Sequence, residues 1–514
     1  LTGDQDDQSR NGGPGQVKKA TAQQRCAAND VPDLSMAPEA VLAIDLDGTL
    51  TRSDLLLEGF WAATAHDWTV PLRVCAWALR GRAHLKRRLA ARVEPDFEHL
   101  PWTREVLDLA AAWRAAGGRT VLVTASDSRV ADAAAAQHPD LFDEVHGSDG
   151  VRNLKGPAKA AFLAERYGAG GYVYVGDSQA DLAVWQDAAQ VITANARPGL
   201  RARAGALAAR NGRPVAHLAP ATAGPGPALR EMRPHQWIKN VLIFAPMVAA
   251  HAFSGATAMQ AVLAFVAFAL VASGVYVLND LLDLGPDRAH PRKHNRPVAS
   301  GALPIAHASL MVPGLLGAGF GVASLLGWAF ALVVAGYLVA TTAYSMWLKR
   351  RIVADIATLA GLYTLRIVAG GVATGITLSV WLLALSIFLF FALAAVKRQA
   401  ELVDAAERGL SNTSGRGYRV DDLPLVAQMA TSAGFVAVLV LALYIDTPQV
   451  QTQYDRPAVL WGVCLVLLYW VARIVMVTHR GRMHDDPLVF AIKDPVSRTC
   501  LVVTGALFAA ATFL

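Results

Sequence analysis

Past Trp237 the sequence is a series of apolar runs, each close to the roughly 20 residues that a helix needs to cross a bilayer, and no other feature limits the fold as much. The runs fall near Trp237–Phe253, Thr257–Leu282, Ala308–Gly327, Ala329–Leu348, Ile352–Ala373, Ser379–Leu402, Pro424–Ile445, Ala458–His479 and Pro495–Leu514. An all-α membrane bundle of about nine helices is expected. Cations collect in alternate loops: Arg288, Arg292, Lys293 and Arg296; Lys349, Arg350 and Arg351; Arg408, Arg416 and Arg419; Arg480, Arg482 and Lys493. The opposite loops contain Arg456 alone. This asymmetry predicts a multi-pass protein of the inner, cytoplasmic membrane, with those loops and everything before Trp237 in the cytoplasm. Length and one-sided charge together exclude a soluble helical bundle.

The second run ends in NDLLDLGPDRAHPRKHNRP, Asn279 to Pro297. Asp280, Asp283 and Asp287 are spaced three and four apart, so a helix stacks them on one face. At a membrane surface such acids need a cation, and Mg²⁺ held by Asn279, Asp280, Asp283 and Asp287 is expected. Gly285 and Pro286 predict that the helix stops after Leu284 and that Asp287 lies in a loop. Lys293 and Arg296 follow at once, and acids beside bases suit a diphosphate that must leave as an anion.

Before the membrane runs, residues 1–38 are polar, without periodicity and without a signal-peptide core, and are expected to be a disordered tail. Order is expected from Val41, where a short apolar strand runs into Asp45-Leu-Asp47-Gly-Thr. Alternate residues at a strand end can place Asp45 as a nucleophile on phosphorus and Asp47 as acid and base, with Mg²⁺ balancing their charge. A second strand, Thr120 to Ser126, ends in a hydroxyl at Thr124 or Ser126 suited to a phosphate oxygen. Lys155 offers a cation for the same phosphate, with Lys159 as its rival. A third strand, Tyr172 to Gly176, ends in Asp177 with Asp181 beside it, a pair of metal ligands. The four cysteines form no CxxC pair, so neither a zinc site nor a disulfide framework is indicated.

The order and spacing of these four motifs resemble the haloacid dehalogenase phosphatase superfamily over about Val41 to Ala219. The resemblance implies a doubly wound, Rossmann-like α/β domain over residues 39–219, with its site at the carboxyl ends of the strands. It makes Asp45 the phospho-aspartyl residue and Asp47 the proton donor, Thr124 and Lys155 phosphate ligands, and Asp45, Asp47, Asp177 and Asp181 the Mg²⁺ site. The mostly helical stretch from Leu55 to Leu100, within a region of about 53–102, takes the place of a cap. Its basic run Arg80 to Arg88 either touches anionic lipid or is a solvated face. Asn211 to Pro227 reads as a Gly, Pro and Ala-rich linker, with 220–232 as the segment joining the two domains.

Residues 233–514, with NDxxDxxxD after the second run, resemble the UbiA family of intramembrane prenyltransferases. RPHQWIKN at Arg233, YSMWLK at Tyr344, DIATLAGLYTLRIVAGG at Asp355 and KRQAEL at Lys397 are similar to its decaprenyl-phosphate phosphoribosyltransferase branch. That branch implies transfer of 5-phosphoribose from PRPP to a polyprenyl phosphate, with Mg²⁺. After Asp355 no acid follows until Glu401, which puts the family's second full metal site in doubt.

The remaining candidates for phosphate and sugar binding are Lys239, Asn240, Lys293, Arg296, Tyr344, Lys349, Asp355, Arg366, Lys397 and Arg398. Arg366 stands inside an apolar run, where an arginine costs roughly 2.5–3.5 kcal/mol unless paired or used; its pairing with Asp355 is the alternative. Lys349 to Arg351 equally serve as a topology signal. The two halves together imply phosphoribosyl transfer followed by removal of the 5-phosphate. A conventional aromatic prenyltransferase is the competing enzyme, and a transporter with a degenerate phosphatase is opposed by intact Asp45, Asp47 and Asp177. Net charge +6 is scattered over short loops rather than forming one stripe, which argues for membrane and phosphate partners and against nucleic acid. A homo-oligomer is left open.

Overall fold

The computed structural model describes residues 32–79, 85, 88–89, 92, 96–149, 153–219, 224–411, 416–483 and 486–513. Most of the expected tail, most of the basic run Arg80 to Arg88 and residues 220–223 of the expected linker lie outside them. The end of the expected tail is ordered instead: Asp33 caps a turn at Leu34–Met36, and Ala37 is buried. The chain forms two compact units. One comprises Leu1–Glu231 with Asp280–Leu310, the other Met232–Asn279 with Met311–Leu514.

The first unit is built on a six-stranded parallel sheet in the order β3-β2-β1-β4-β5-β6. Its strands are β1 (Val41–Ile44), β2 (Arg119–Asp127), β3 (Glu144–Ser148), β4 (Tyr172–Gly176), β5 (Gln190–Ala194) and β6 (Val215–Leu218). Strands β1, β4 and β5 are buried along their whole length, as expected where helices cover both faces. The two-residue period sorts them. Leu42, Ile44, Val173 and Val175 enter one core, whereas Val41, Ala43, Tyr172 and Tyr174 enter the other.

Three of these strands were legible in the sequence. Strands β3, β5 and β6 were not, because EVHGS is polar and VAHL short and small. Strand β6 overturns the linker expected from Asn211: Val215 pairs with Val191 in parallel register, so the sheet runs on to Leu218. A short helix, Gly226–Glu231, then occupies part of the expected connection. The expected cap region contains helices Leu55–His66 and Val70–Ala78, the first capped by Asp54 accepting from Leu56 N and Leu57 N.

Among the described residues of the other unit, and of the segment that belongs to the first, eight helices are long and apolar enough to cross a membrane. They are Gly255–Leu282, Ile305–Ser324, Trp328–Met346, Ala354–Thr374, Val380–Glu407, Val420–Ile445, Pro457–His479 and Pro495–Phe513. The expected ninth, near Trp237–Phe253, is instead a 3-10 stretch, Pro234–Phe244, followed by a short helix, Ala245–Ala249. Arg233 and His251 take left-handed backbone angles at either side, and Pro234 and Pro246 supply no amide hydrogen, so one continuous α-helix cannot run through. Large apolar side chains such as Leu332, Leu465 and Val502 are exposed on these helices, as a lipid-facing surface requires.

Asp280 lies in the helix ending at Leu282, as expected, but Asp287 does not lie in a loop. The chain breaks at Asp283 and starts again as Leu284–Ala289, with Asp287 N donating to Asp283 O at 2.8 Å. Pro286 sits in the first turn of this new helix, where its missing amide hydrogen costs no bond. The same proline that predicted a stop therefore permits a restart.

Candidate active site

The sheet order reverses between β1 and β4, and ligands of doubly wound sheets bind beyond the carboxyl ends of strands at such a point. Asp45 leaves β1 there, its amide donating to Val175 O at 3.1 Å, and Asp177 leaves β4 beside it. Gly48 has φ +80°, and a Cβ on it would stand 2.2 Å from Asp177 Oδ2. Only glycine lets the two loops close.

Asp45, Asp177 and Asp181 each offer an oxygen, and all three lie within 4.8 Å of one another. Burial, opposed by Lys159 and assisted by Asp181, pushes the Asp45 carboxyl up to about 6. Burial and then Asp45 and Asp181 raise Asp177 well above the usual carboxylate range. Hard oxygen donors that repel one another in a buried site fit Mg²⁺. Asp181 is also held in place, its Oδ2 accepting from Ser178 N and Ser178 Oγ at 2.8 Å each and its Oδ1 from Tyr174 OH at 2.9 Å. The Asp47 carboxylate points elsewhere. Its Oδ1 accepts from Leu55 N at 2.8 Å, and its Oδ2 from Ser126 Oγ at 2.6 Å and Thr124 Oγ1 at 3.4 Å. The hydroxyls of Thr124 and Ser126 thus both reach Asp47, whose carboxylate is not part of the three-acid cluster.

Between the rival lysines the geometry is unequal. Lys159 Nζ, with its side chain 3% exposed, donates to Asp45 Oδ1 at 2.8 Å and to Tyr174 OH at 2.9 Å. Lys155 is exposed. Pro157 opens a helix two residues before Lys159, which fixes that side chain on a rigid element.

Around the aspartate segment, Arg296 Nη1 lies 2.8 Å from Asp280 Oδ1 and also donates to Asp287 Oδ2, and Lys293 Nζ is 3.6 Å from Asp287 Oδ1. Burial, against the pull of Arg296, raises the Asp287 carboxyl. Three carboxylates and the Asn279 amide have the chemistry for Mg²⁺, but the arrangement does not match it. Arg296 already stands between two of the acids, and among the described residues Asp280, Asp283 and Asp287 form no cluster within 4.8 Å.

In the other unit, two groups of polar side chains gather among the helices. In the first, Asp486 accepts from Lys239 Nζ at 2.9 Å, Lys397 Nζ at 3.0 Å and Tyr363 OH at 3.3 Å. Burial works against its charge, yet Lys397 and Lys239 hold the Asp486 carboxyl well below the usual range. Arg366 donates to Asn240 Oδ1 at 2.9 Å and to Tyr337 OH at 3.1 Å, and lies over the Tyr337 and Tyr363 rings. The alternative pairing of Arg366 with Asp355 is therefore not made.

Asp355 belongs to the second group. Arg398 Nη2 stands 2.8 Å from its Oδ2 with both side chains fully buried, an ion pair whose angle is poor for a hydrogen bond. Tyr418 OH donates to Asp355 Oδ1 at 2.7 Å, while Arg416 reaches Tyr344 OH at 2.8 Å and Glu401 at 3.4 Å. Two arginines face two acids here, so this group is neutralised internally. In the first group two lysines meet one carboxylate, and Arg366 bonds only to neutral groups. Lys349 lies on the turn Leu348–Arg350. Sequence reasoning missed Tyr174, Asp486, Tyr363, Tyr337, Arg416 and Tyr418. Tyr174, Tyr337 and Tyr363 sit in apolar runs that give no polar signal, Arg416 and Tyr418 lie in a polar loop, and Asp486 is one acid among several in a charged loop.

An aspartate-bearing α/β hydrolase site on one chain with a multi-pass helical bundle defines a membrane enzyme with a second, phosphatase-type module. Residues 42–186 match the haloacid dehalogenase-like hydrolases, and residues 241–493 match the UbiA prenyltransferase family. The chain is 37% identical to the uncharacterized protein y4nM of Sinorhizobium fredii over 89% of its own length and 88% of that protein. It is 36% identical to nodulation protein NoeC of Azorhizobium caulinodans, covering 52% of this chain and 88% of that one. It is 32% identical to decaprenyl-phosphate phosphoribosyltransferase of Mycolicibacterium smegmatis over 54% of this chain and 90% of the relative. The chain belongs to the UbiA prenyltransferase family and carries a haloacid dehalogenase-like domain ahead of the membrane part.

Proposed function

We propose that the protein transfers 5-phosphoribose from PRPP to a polyprenyl phosphate, releasing pyrophosphate, and then removes the 5-phosphate to give polyprenyl-phosphoryl ribose. The observation that carries this reading is the excess of cations over acid among the part-buried side chains around Asp486. Lys239 and Lys397 share that one carboxylate, and Arg366, against the same Tyr363 ring as Lys239, bonds only to neutral groups, a balance that favours a phosphate-bearing ligand. The likeness to a decaprenyl-phosphate phosphoribosyltransferase supports the same assignment.

In the transfer, an oxygen of the lipid phosphate attacks the anomeric carbon as the bond to pyrophosphate breaks. Lys239, Lys397 and Arg366 bind phosphate oxygens in this reading. Tyr344 and Arg398, tied up with Arg416 and Asp355, shape the membrane unit rather than touch substrate. Arg296 stands between Asp280 and Asp287 in this reading, in the place that a metal held by Asn279, Asp280, Asp283 and Asp287 would need.

In the hydrolase module Asp45 attacks phosphorus, and Asp47 protonates the departing sugar hydroxyl and later takes a proton from water. Lys159, Thr124 and Ser126 hold the phosphate oxygens. Asp45, Asp177 and Asp181 would hold Mg²⁺, which supplies charge neutralisation for the transferring phosphoryl group. In this reading both activities face the cytoplasmic side of the inner membrane, which the charge bias of the loops supports, and the lipid product need not cross it. PRPP-dependent labelling of polyprenyl phosphate by purified protein, run against a prenyl diphosphate with an aromatic acid, tests the assignment. Labelling only in the second mixture would replace it with aromatic prenyl transfer.

A further inference from the structure

Arg288 and Glu58 belong to stretches that lie far apart in sequence, one directly after Asp287 and the other on the helix Leu55–His66 that follows the Asp45 loop. Their charged atoms are 2.6 Å apart, with 4% of the Arg288 side chain and 7% of the Glu58 side chain exposed. A buried ion pair adds little stability beyond what apolar packing would give, so its geometry matters more than its energy.

Each partner is fixed by further bonds that lead into a site. Glu58 Oε1 also accepts from Ser53 Oγ, Ser53 O accepts from Gly48 N at 3.0 Å, and Leu55 N at the start of the Glu58 helix donates to Asp47 Oδ1. On the other side Arg288 Nε donates to Ala299 O at 2.9 Å, closing the segment that carries Asp287 and Arg296. Gly301, at φ +72°, completes the fit: a Cβ there would stand 2.7 Å from Cβ of Arg52. The bonds run without interruption from Asp47 to the Arg288 segment.

We infer that Glu58 and Arg288 are a positioning pair, through which the aspartate segment fixes the helix that orients Asp47. The inference rests on the phosphatase reading of the Asp45 site. Removing either charge releases the Leu55 end of the helix and misplaces the acid and base, while leaving the phosphate ligands where they are. Misplacement of a reacting group by about 1 Å can cost on the order of a hundredfold in rate.

The test compares full-length wild type, Glu58→Gln, Arg288→Gln and the double variant in detergent. Hydrolysis of p-nitrophenyl phosphate and hydrogen exchange are both measured. Each single variant is expected to lose about tenfold or more in kcat with KM within about twofold, and the double variant to be no worse than either single one. Exchange should quicken over residues 45–57 and stay unchanged in β4 and β5. A folded single variant with wild-type kcat overturns the inference, as does faster exchange throughout the sheet or failure of both single variants to fold. If wild type does not hydrolyse the ester at all, the phosphatase reading fails, and exchange over residues 45–57 alone decides the coupling.

Discussion

Lys159 Nζ lies 2.8 Å from Asp45 Oδ1, and this contact joins the helix Pro157–Tyr167 to the end of β1. The lysine faces the carboxylate proposed as nucleophile, where it can draw a phosphate oxygen towards it. Its neighbour Lys155, four residues earlier and exposed, has no such position.

Lys159→Gln should therefore lower hydrolysis of a soluble phosphate ester by about 100-fold, whereas Lys155→Gln should stay within about threefold of wild type. Steady-state kinetics on the two variants separates them. Equal losses would return Lys155 to the site.

Asp280→Asn should reduce lipid phosphoribosylation by at least about tenfold while hydrolysis of a soluble ester is nearly kept. Arg296 loses one of its two acids in that variant and no longer holds its place beside Asp287. Transfer at the wild-type rate would remove the aspartate segment from the mechanism.

Arg296 and a divalent ion would compete for the same oxygens of Asp280 and Asp287. If the segment also takes Mg²⁺, Arg296→Gln should tighten Mn²⁺ binding, measured by paramagnetic resonance in an Asp45→Asn background, several-fold. Unchanged or weaker binding would leave the acids as arginine partners alone.

Arg398 and Asp355 are both fully buried, and replacing Arg398 leaves Asp355 and Glu401 facing Arg416 alone. Arg398→Met should cost about 3–5 kcal/mol and lower the denaturation midpoint in detergent. Adding Asp355→Leu should recover part of the loss. A stable Arg398→Met protein with a raised KM for PRPP would instead place Arg398 on the substrate.

The gathering of Asp45, Asp177 and Asp181 was legible because these residues are local to strand ends. Asp45 and Asp47 follow β1 by one and three residues, Thr124 lies near the end of β2, and a strand end fixes where such a residue stands. Lys159 was harder, since a helix starting at Pro157 chooses between two lysines four apart, and spacing alone does not say which meets β1. The membrane site was legible by residue type and not by partner. Arg366 was singled out for its cost in an apolar run, yet its bonds go to Asn240 and Tyr337 rather than to Asp355. Helix packing sets those partners, and hydrophobic periodicity carries no record of it. The restart of the helix at Leu284 failed for a related reason: proline marks either a stop or a first turn, and only the bond from Asp287 N to Asp283 O distinguishes them.

The mass of the lipid product tests the account most directly. Purified protein is given PRPP and a polyprenyl phosphate, as wild type and as Asp45→Asn, in which the shape of the site is kept but the nucleophile is lost. Wild type should yield polyprenyl-phosphoryl ribose with pyrophosphate and inorganic phosphate, and Asp45→Asn should stop at the lipid-linked 5-phosphoribose. Absence of any PRPP-dependent lipid product, or a wild-type product that retains the 5-phosphate, would contradict the proposed sequence of steps.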